Sequence, residues 1–452
     1  MATPEVDKLL GMDAYITKTK GIGGAIKQSV DDFIVEEVLV DGSKASITGM
    51  APSRVIGSTT LKQRFLLCLL VKRNWDTFIA TKNVAKSLGV DQAFVQFAGI
   101  KDAKAVTAQY ITIQNASVED AAKIDVKDVK VTPIGYVREM IALFYLLGNS
   151  FTITIRDIEA TESTVEGLVG QTMQEIAEVG GIPNYFGHQR FGTTRPITHL
   201  VGKALVQGKF EEAAMLFLAD PSPHEHPKSR QARQTLQDTG DFKWAAENFP
   251  KQLRFERLML NHLAENPTDF LGAFRRLPPK LQALFVQAHQ SYLFNRFLSE
   301  RLKRGLPPNL AVEGDFVVAV ERSGLPLTTV VKAVTAQTLE DVNRQVAAGK
   351  LRVALPIVGA KQKLSGGVMG EIEADALAVE GVGDEERSWL NELSRAGGRG
   401  GLRTTVAPVK DFSLNAAGGN SAQVTFMLLR GCYATVLLRE LMKPTGPVKA
   451  GF

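Results

Sequence analysis

FAGIKDAKAVTAQYITI, residues 97–113, places Lys101-Asp102 just after Gly99, which permits a sharp turn, and ahead of the strand-like run Tyr110-Ile111-Thr112-Ile113. A carboxylate held in a tight loop between structured segments is where a chain fixes a nucleophile or a general base. If Lys101 and Asp102 continued a strand, their side chains would point to opposite faces, so the carboxylate needs its cation from elsewhere. For the dipeptide alone, a solvated aspartate in a surface turn is the ordinary account.

Outward from this segment, other runs read as strands: Asp32 to Val40 (DFIVEEVLV), Phe151 to Arg156 (FTITIR) and Gln423 to Leu428 (QVTFML). Helical periodicity covers Thr164 to Val179 and Leu200 to Leu218. It is strongest over Lys280 to Arg304, which Pro278-Pro279 precedes and Gly305 follows. From Asp315 to Val379 the pattern turns β-like again, in FVVAV, TTVVKAV and LRVALPIVGA. Asp220 to Pro227 is Pro-rich and loop-like, and Gly397 to Gly401 (GGRGG) reads as a flexible basic joint. Strand-containing ends flank a helix-rich middle, which suggests one domain inserted in another.

The 452 residues exceed one ordinary core, so two or three structural units are expected. A composition of 44% hydrophobic and 22% charged residues belongs to a globular chain. The longest apolar run, Met140 to Leu147, is far short of the roughly 20 residues a membrane helix needs. The N-terminus MATPEVDKLLGMDAY has no apolar signal core, and Cys68 and Cys432 sit among apolar residues as free thiols, so a cytoplasmic location is expected. The formal net charge of +5 is compatible with a polyanionic partner without requiring one.

A second constellation, NYFGHQRFG at 184–192, sets aromatics beside glycines, amides and an Arg. These are parts for holding a nucleobase: a flat face to stack on, groups for its edges, and a cation for phosphate. An aromatic structural corner would use the same residues. A third, IKQSVDDFIVEE at 26–37, carries Lys27. Gly21-Ile22-Gly23-Gly24 follows no clear strand and does not read as a nucleotide loop, and His224-x-His226 lacks a third ligand at zinc spacing.

Together these segments resemble the tRNA pseudouridine synthase D (TruD) family: G-x-K-D at Gly99 to Asp102, N-Y-F-G-x-Q-R-F-G at Asn184 to Gly192, and the K-x-x-P-E-D-F-x-V-x-E segment at Lys27 to Glu37, with Val30 for Pro and Asp31 for Glu. FMLLRGCYAT at 426–435 resembles the family's F-x-L-P-x-G-x-Y-A-T, with Leu429 for Pro, and QAHQSYLFN at 287–295 resembles a further signature. The likeness runs from about residue 21 to residue 443.

The resemblance implies an isomerase that turns a uridine of tRNA, at position 13 in the best-known members, into pseudouridine. No cofactor or metal is implied. Asp102 would be the nucleophile or base and Lys27 its ion-pair partner. Phe186 would stack on the base, Asn184 would hydrogen-bond near it, and Phe426 would belong to the base pocket; Gln109 and Arg190 are further substrate-side candidates. Phe186, Phe191 and Phe426 would wall the site against water. The implied fold is α+β: a mixed, largely antiparallel-sheet catalytic domain from residues 1–190 and 405–452, with an α/β domain, 195–400, inserted in it. Arg190, Arg195, Lys203, Arg275, Arg276 and Arg399 are candidates for phosphate contact. The partner is tRNA, with no membrane and no small-molecule cofactor, and the expected state is a monomer. Two other readings stand beside this one, a non-catalytic RNA-binding or RNA-chaperone protein of the same fold and a carboxylate-based hydrolase that releases free uracil.

Overall fold

The computed structural model describes residues 2–50, 55–383 and 398–452. Its first third gives six strands: Phe33–Leu39 (β1), Phe65–Arg73 (β2), Val95–Phe97 (β3), Val106–Gln114 (β4), Val129–Val137 (β5) and Leu146–Ile155 (β6). The short Ile182–Pro183 (β7) follows. The middle gives Phe316–Val320 (β8), Pro326–Ala333 (β9), Leu351–Ile357 (β10) and Gly401–Thr404 (β11). Val406–Ala407 (β12), Val409–Gly418 (β13) and Ser421–Leu429 (β14) complete the strands.

The main sheet is eight-stranded in the order β13-β14-β6-β1-β4-β2-β5, with β3 on β4. Only the β1/β4 pair within it is parallel, so the fold is α+β with a mixed, largely antiparallel sheet. β1 and β4 lie side by side at its centre, which brings Ile34 level with Val106 and sets the Asp102 loop beside the start of β1. Residues 409–429 return to the sheet opened by residues 33–155, and the smaller β11-β10-β8-β9 sheet comes from the chain between them.

A contiguous core joins these parts. It contains Phe33, Phe151 and Phe426 from the main sheet, Phe294 and Phe297 from the Pro279–Lys303 helix, and Leu437, Leu438 and Leu441 from the Ala434–Met442 helix. That long helix is buried on several sides, which explains why its apolar residues extend beyond one stripe.

Three expectations change here. The Leu200 to Leu218 pattern is two helices, Thr198–Val206 and Phe210–Ala219, because the backbone at Gly208 turns left-handed (φ 69). The Asp315 to Val379 stretch holds strands at all three quoted runs but also the helices Leu339–Ala347 and Gly367–Glu380. Gly398 to Gly401 is pinned against the 359–361 turn, where the amides of Ala360 and Lys361 donate to the carbonyls of Gly398 and Arg399. A Cβ on Gly359 would lie 2.1 Å from the Gly400 nitrogen, so these glycines allow a close backbone crossing. Gly397 lies outside the described residues.

His199 and His289 are buried where the Thr198–Val206 and Pro279–Lys303 helices cross, both stacked on Tyr292. Desolvation lowers the pKa of His199 to about 4 and of His289 to about 3. The unfolded chain, with its histidines near 6.5, therefore takes up protons that the folded chain refuses. This contribution to stability is full above pH 6.5 and is lost as pH falls towards 3. Denaturant midpoints should drop over that window, and His289→Leu should flatten the drop; an unchanged slope in the variant would refute it.

Candidate active site

The segment 98–105 joins β3 to β4 and is tied down at almost every step. Gln109, buried in β4, donates from Nε2 to the Gly99 carbonyl (3.1 Å). Thr77 Oγ1 accepts from the Lys101 amide (3.1 Å) and donates to the Lys101 carbonyl (3.3 Å). Lys101 Nζ lies 2.7 Å from Glu37 Oε1 with both side chains buried, and the other Glu37 oxygen accepts from the Tyr110 amide (2.9 Å). Lys72, also buried, donates from Nζ to the carbonyls of Asp102 (2.8 Å) and Trp75 (2.7 Å). Burial lowers the Lys72 pKa to about 8, against the opposing pull of the Asp102 and Asp76 charges.

The main chain is thus held from behind while the Asp102 carboxylate faces outward, 34% exposed. Its cation is Lys27, with Nζ 3.6 Å from Oδ1 and 4.4 Å above the Phe33 ring. Lys27 reaches it from a left-handed backbone conformation (φ 58). After that turn, Ser29 and Asp32 form a reciprocal capping box over Val30–Asp32, and the Arg156 guanidinium pairs with Asp32 (2.7 Å). The box supplies the turn geometry that a Pro at the position of Val30 would otherwise preset.

Asp102 opens into a cavity of about 460 Å³. Phe33, Val35, Leu146 and Phe151 form its apolar wall, and Asn149, Gln189, Arg430 and Thr435 add polar groups. The wall expected from Phe186, Phe191 and Phe426 is therefore built by other residues. Phe426 stands behind it, fully buried and stacked on Phe151 (5.3 Å). Phe191 is buried edge-on to His199 (5.2 Å).

Phe186 lies edge-on to Tyr433, which does line the cavity (6.2 Å), with the Arg403 guanidinium 4.1 Å from its ring centre and Arg190 at 5.9 Å. Asn184 is buried: Arg403 donates to its Oδ1 (2.6 Å), and its Nδ2 donates to Thr404 Oγ1 (3.0 Å). Arg190 bonds Ser291 (3.1 Å) and Gln287 (3.2 Å), while Asn295 binds both the amide (2.8 Å) and the carbonyl (2.9 Å) of Phe186. The 184–192 and 287–295 motifs therefore hold each other. Asp102 and Lys27 meet directly, whereas Gln109, Asn184, Arg190 and Phe426 stand around the cavity without lining it.

Among the phosphate candidates, Arg195 donates to the carbonyls of Leu216 (3.0 Å) and Phe217 (3.2 Å), and Lys203 pairs with Glu380 (2.7 Å). Both are engaged inside the fold. Arg275, Arg276 and Arg399 are exposed. Sequence reasoning did not find Lys72 or Arg403, and it gave no role to Arg430 and Tyr433, which stand in the FMLLRGCYAT motif. Lys72 had a signal, a lysine near the end of the apolar strand FLLCLLVKR; Arg403 had none.

Comparison with known proteins puts this chain among the pseudouridine synthases. The family model for tRNA pseudouridine synthase D (TruD) matches residues 9–441. Curated relatives named "Probable tRNA pseudouridine synthase D" are 38% identical over 98% of both chains in Methanosarcina mazei, and 37% identical over 95% of this chain and 98% of the relative in Pyrococcus abyssi. A crystal structure of the protein assigned as TruD in Methanosarcina mazei superposes with a TM-score of 0.80 at 38% identity, covering 98% of this chain and 99% of that one. The chain belongs to the tRNA pseudouridine synthase D family.

Proposed function

We propose that this protein isomerises a uridine of tRNA to pseudouridine, with position 13 the expected target and Asp102 the reacting carboxylate. The observation that carries this reading is the Asp102–Lys27 pair, backed by the anchored loop and facing an apolar-walled cavity, in a chain of this family. A cavity of about 460 Å³ lies within the size range of small-molecule sites, roughly 300–1,000 Å³, and suits one extruded nucleotide.

The reaction breaks the N1–C1′ bond and forms a C5–C1′ bond; the C5 proton is lost and N1 gains one, so the balance needs neither water nor a redox partner. Asp102 starts the cleavage as nucleophile or base, and Lys27, 3.6 Å away, balances its charge and helps aim it. Phe33, Val35 and Phe151 keep water from the detached uracil, which would otherwise be lost to hydrolysis. Phe186, Asn184, Arg190, Gln109 and Phe426 serve the substrate pocket, Gln109 by holding the Gly99 end of the loop. We read residues 1–190 with 405–452 as the catalytic domain and 195–400 as the domain inserted in it, acting as a cytoplasmic monomer.

The test is incubation with an unmodified tRNA transcript and mapping of pseudouridine by carbodiimide-dependent primer-extension stops. One new stop at a D-arm uridine without free uracil is expected. Release of free uracil would make the protein a hydrolase, and intact tRNA binding without any stop would make it a non-catalytic binder.

Lys72 positions Asp102 through the main chain. Lys72→Met should lower kcat about 10–100-fold while tRNA Kd stays put, because a carbonyl tether sets where the carboxylate points. Its thermal midpoint should change little, since burial of the ammonium is itself costly. An unchanged kcat would refute the positioning role.

A further inference from the structure

The rim of the Asp102 cavity carries large apolar side chains in water. Leu143 and Phe144 are each 59% exposed and Ile100 is 62% exposed, and Leu143 and Ile100 both line the cavity. Exposed apolar clusters of this kind mark interaction sites. The turn Leu143–Tyr145 that presents two of them is firmly mounted. Arg430 donates from one nitrogen to the carbonyls of Leu143 (2.9 Å), Phe144 (3.4 Å) and Leu146 (2.9 Å). The Phe144 ring packs 4.2 Å from Tyr145, and the Ile141 amide donates to Thr112 Oγ1 (3.1 Å) on β4. A sheet strand and an arginine thus hold an apolar knuckle rigidly at the mouth of the site.

We propose that Leu143 and Phe144 form a wedge that takes the place of the target uridine in the base stack, contacting the nucleobases on either side of it. This rests on the synthase reading above. A uridine that swings into the cavity leaves two base faces uncovered, and unstacking is costly unless something covers them. Apolar side chains inserted at a base step do this in nucleic-acid complexes, and an aromatic face does so whatever the flanking sequence. The occupant is RNA because the knuckle is continuous with the cavity that receives the target base. Its rigid mount means the wedge is ordered before the RNA arrives.

The experiment compares wild type, Leu143→Ala, Phe144→Ala and Phe144→Trp on two tRNA transcripts, one with the target uridine paired and one with the opposite base changed to unpair it. On the paired transcript, each Ala variant should lose about 5- to 150-fold in kcat/KM, the equivalent of about 1–3 kcal/mol of stacking. On the unpaired transcript the loss should shrink to less than about threefold, and Phe144→Trp should keep wild-type rates on both. In an Asp102→Asn background, 2-aminopurine beside the target should brighten on binding, less so with Phe144→Ala. Ala variants as fast as an active wild type on the paired transcript would overturn the wedge and leave the synthase standing. Equal losses on both transcripts would make the knuckle structural only. An inactive wild type would overturn the synthase reading and the wedge with it.

Discussion

Asp102→Asn should abolish pseudouridine formation, lowering the single-turnover rate by about four orders of magnitude or more, as expected when a reacting group is removed from an otherwise intact site. The fold should be indifferent to the change. The tethers of the loop run through the Gly99, Lys101 and Asp102 main chain and the Lys101 side chain, not through the carboxylate. The Asp102–Lys27 pair, at 3.6 Å and partly exposed, is of the class worth about 0–1 kcal/mol. The thermal midpoint and tRNA Kd should therefore stay close to wild type. Appreciable pseudouridine from the purified variant would remove Asp102 from the mechanism. Lys27→Met should be milder, since it removes the partner charge and leaves the reacting group.

Glu37→Gln should be the most damaging single change behind the site. It leaves the Lys101 ammonium buried without its counter-charge, which costs about 3–5 kcal/mol in comparable cases. Because Lys101 precedes Asp102, the loop should shift as well, and turnover should fall further than stability alone explains. Adding Lys101→Met removes the stranded charge, and much of the lost stability should return, since a buried pair gains little over an apolar replacement of similar shape. Denaturant unfolding of the two single variants and the double variant measures the coupling. Additive losses would mean that the pair does not act as a unit.

Much of the local structure was legible because it is written in short-range patterns. The Pro279–Lys303 helix lies within a residue of its expected limits, as Pro at its start and Gly305 past its end punctuate a clear periodicity. Strand β14 followed from the strand-like run QVTFML, and the Asp102 loop from its place after Gly99 and ahead of the strand-like run 110–113. Where one residue changes the backbone's course, the reading was coarser. Gly208 splits one apparent helix into two, and the short Leu339–Ala347 helix is hidden between runs of β-like residues.

The site divides in the same way. The motifs named Asp102 and Lys27 as a pair by resemblance, and elementary strand geometry alone argued that Lys101 was not the partner. That Lys101 instead pairs with Glu37, that Lys72 holds the Asp102 carbonyl from β2, and that Arg403 covers Phe186 are contacts between residues far apart in the chain. By itself, then, the sequence determined most of the elements and the family, and it singled out Asp102 as the carboxylate proposed to react, since helical periodicity, β-branched runs and motif spacing act over a few residues. The tertiary structure alone decided which buried charge meets which, and which aromatics wall the cavity. A charge taken out of water must find its counter-charge or carbonyl wherever the packed chain brings one within reach, and no local pattern encodes that meeting.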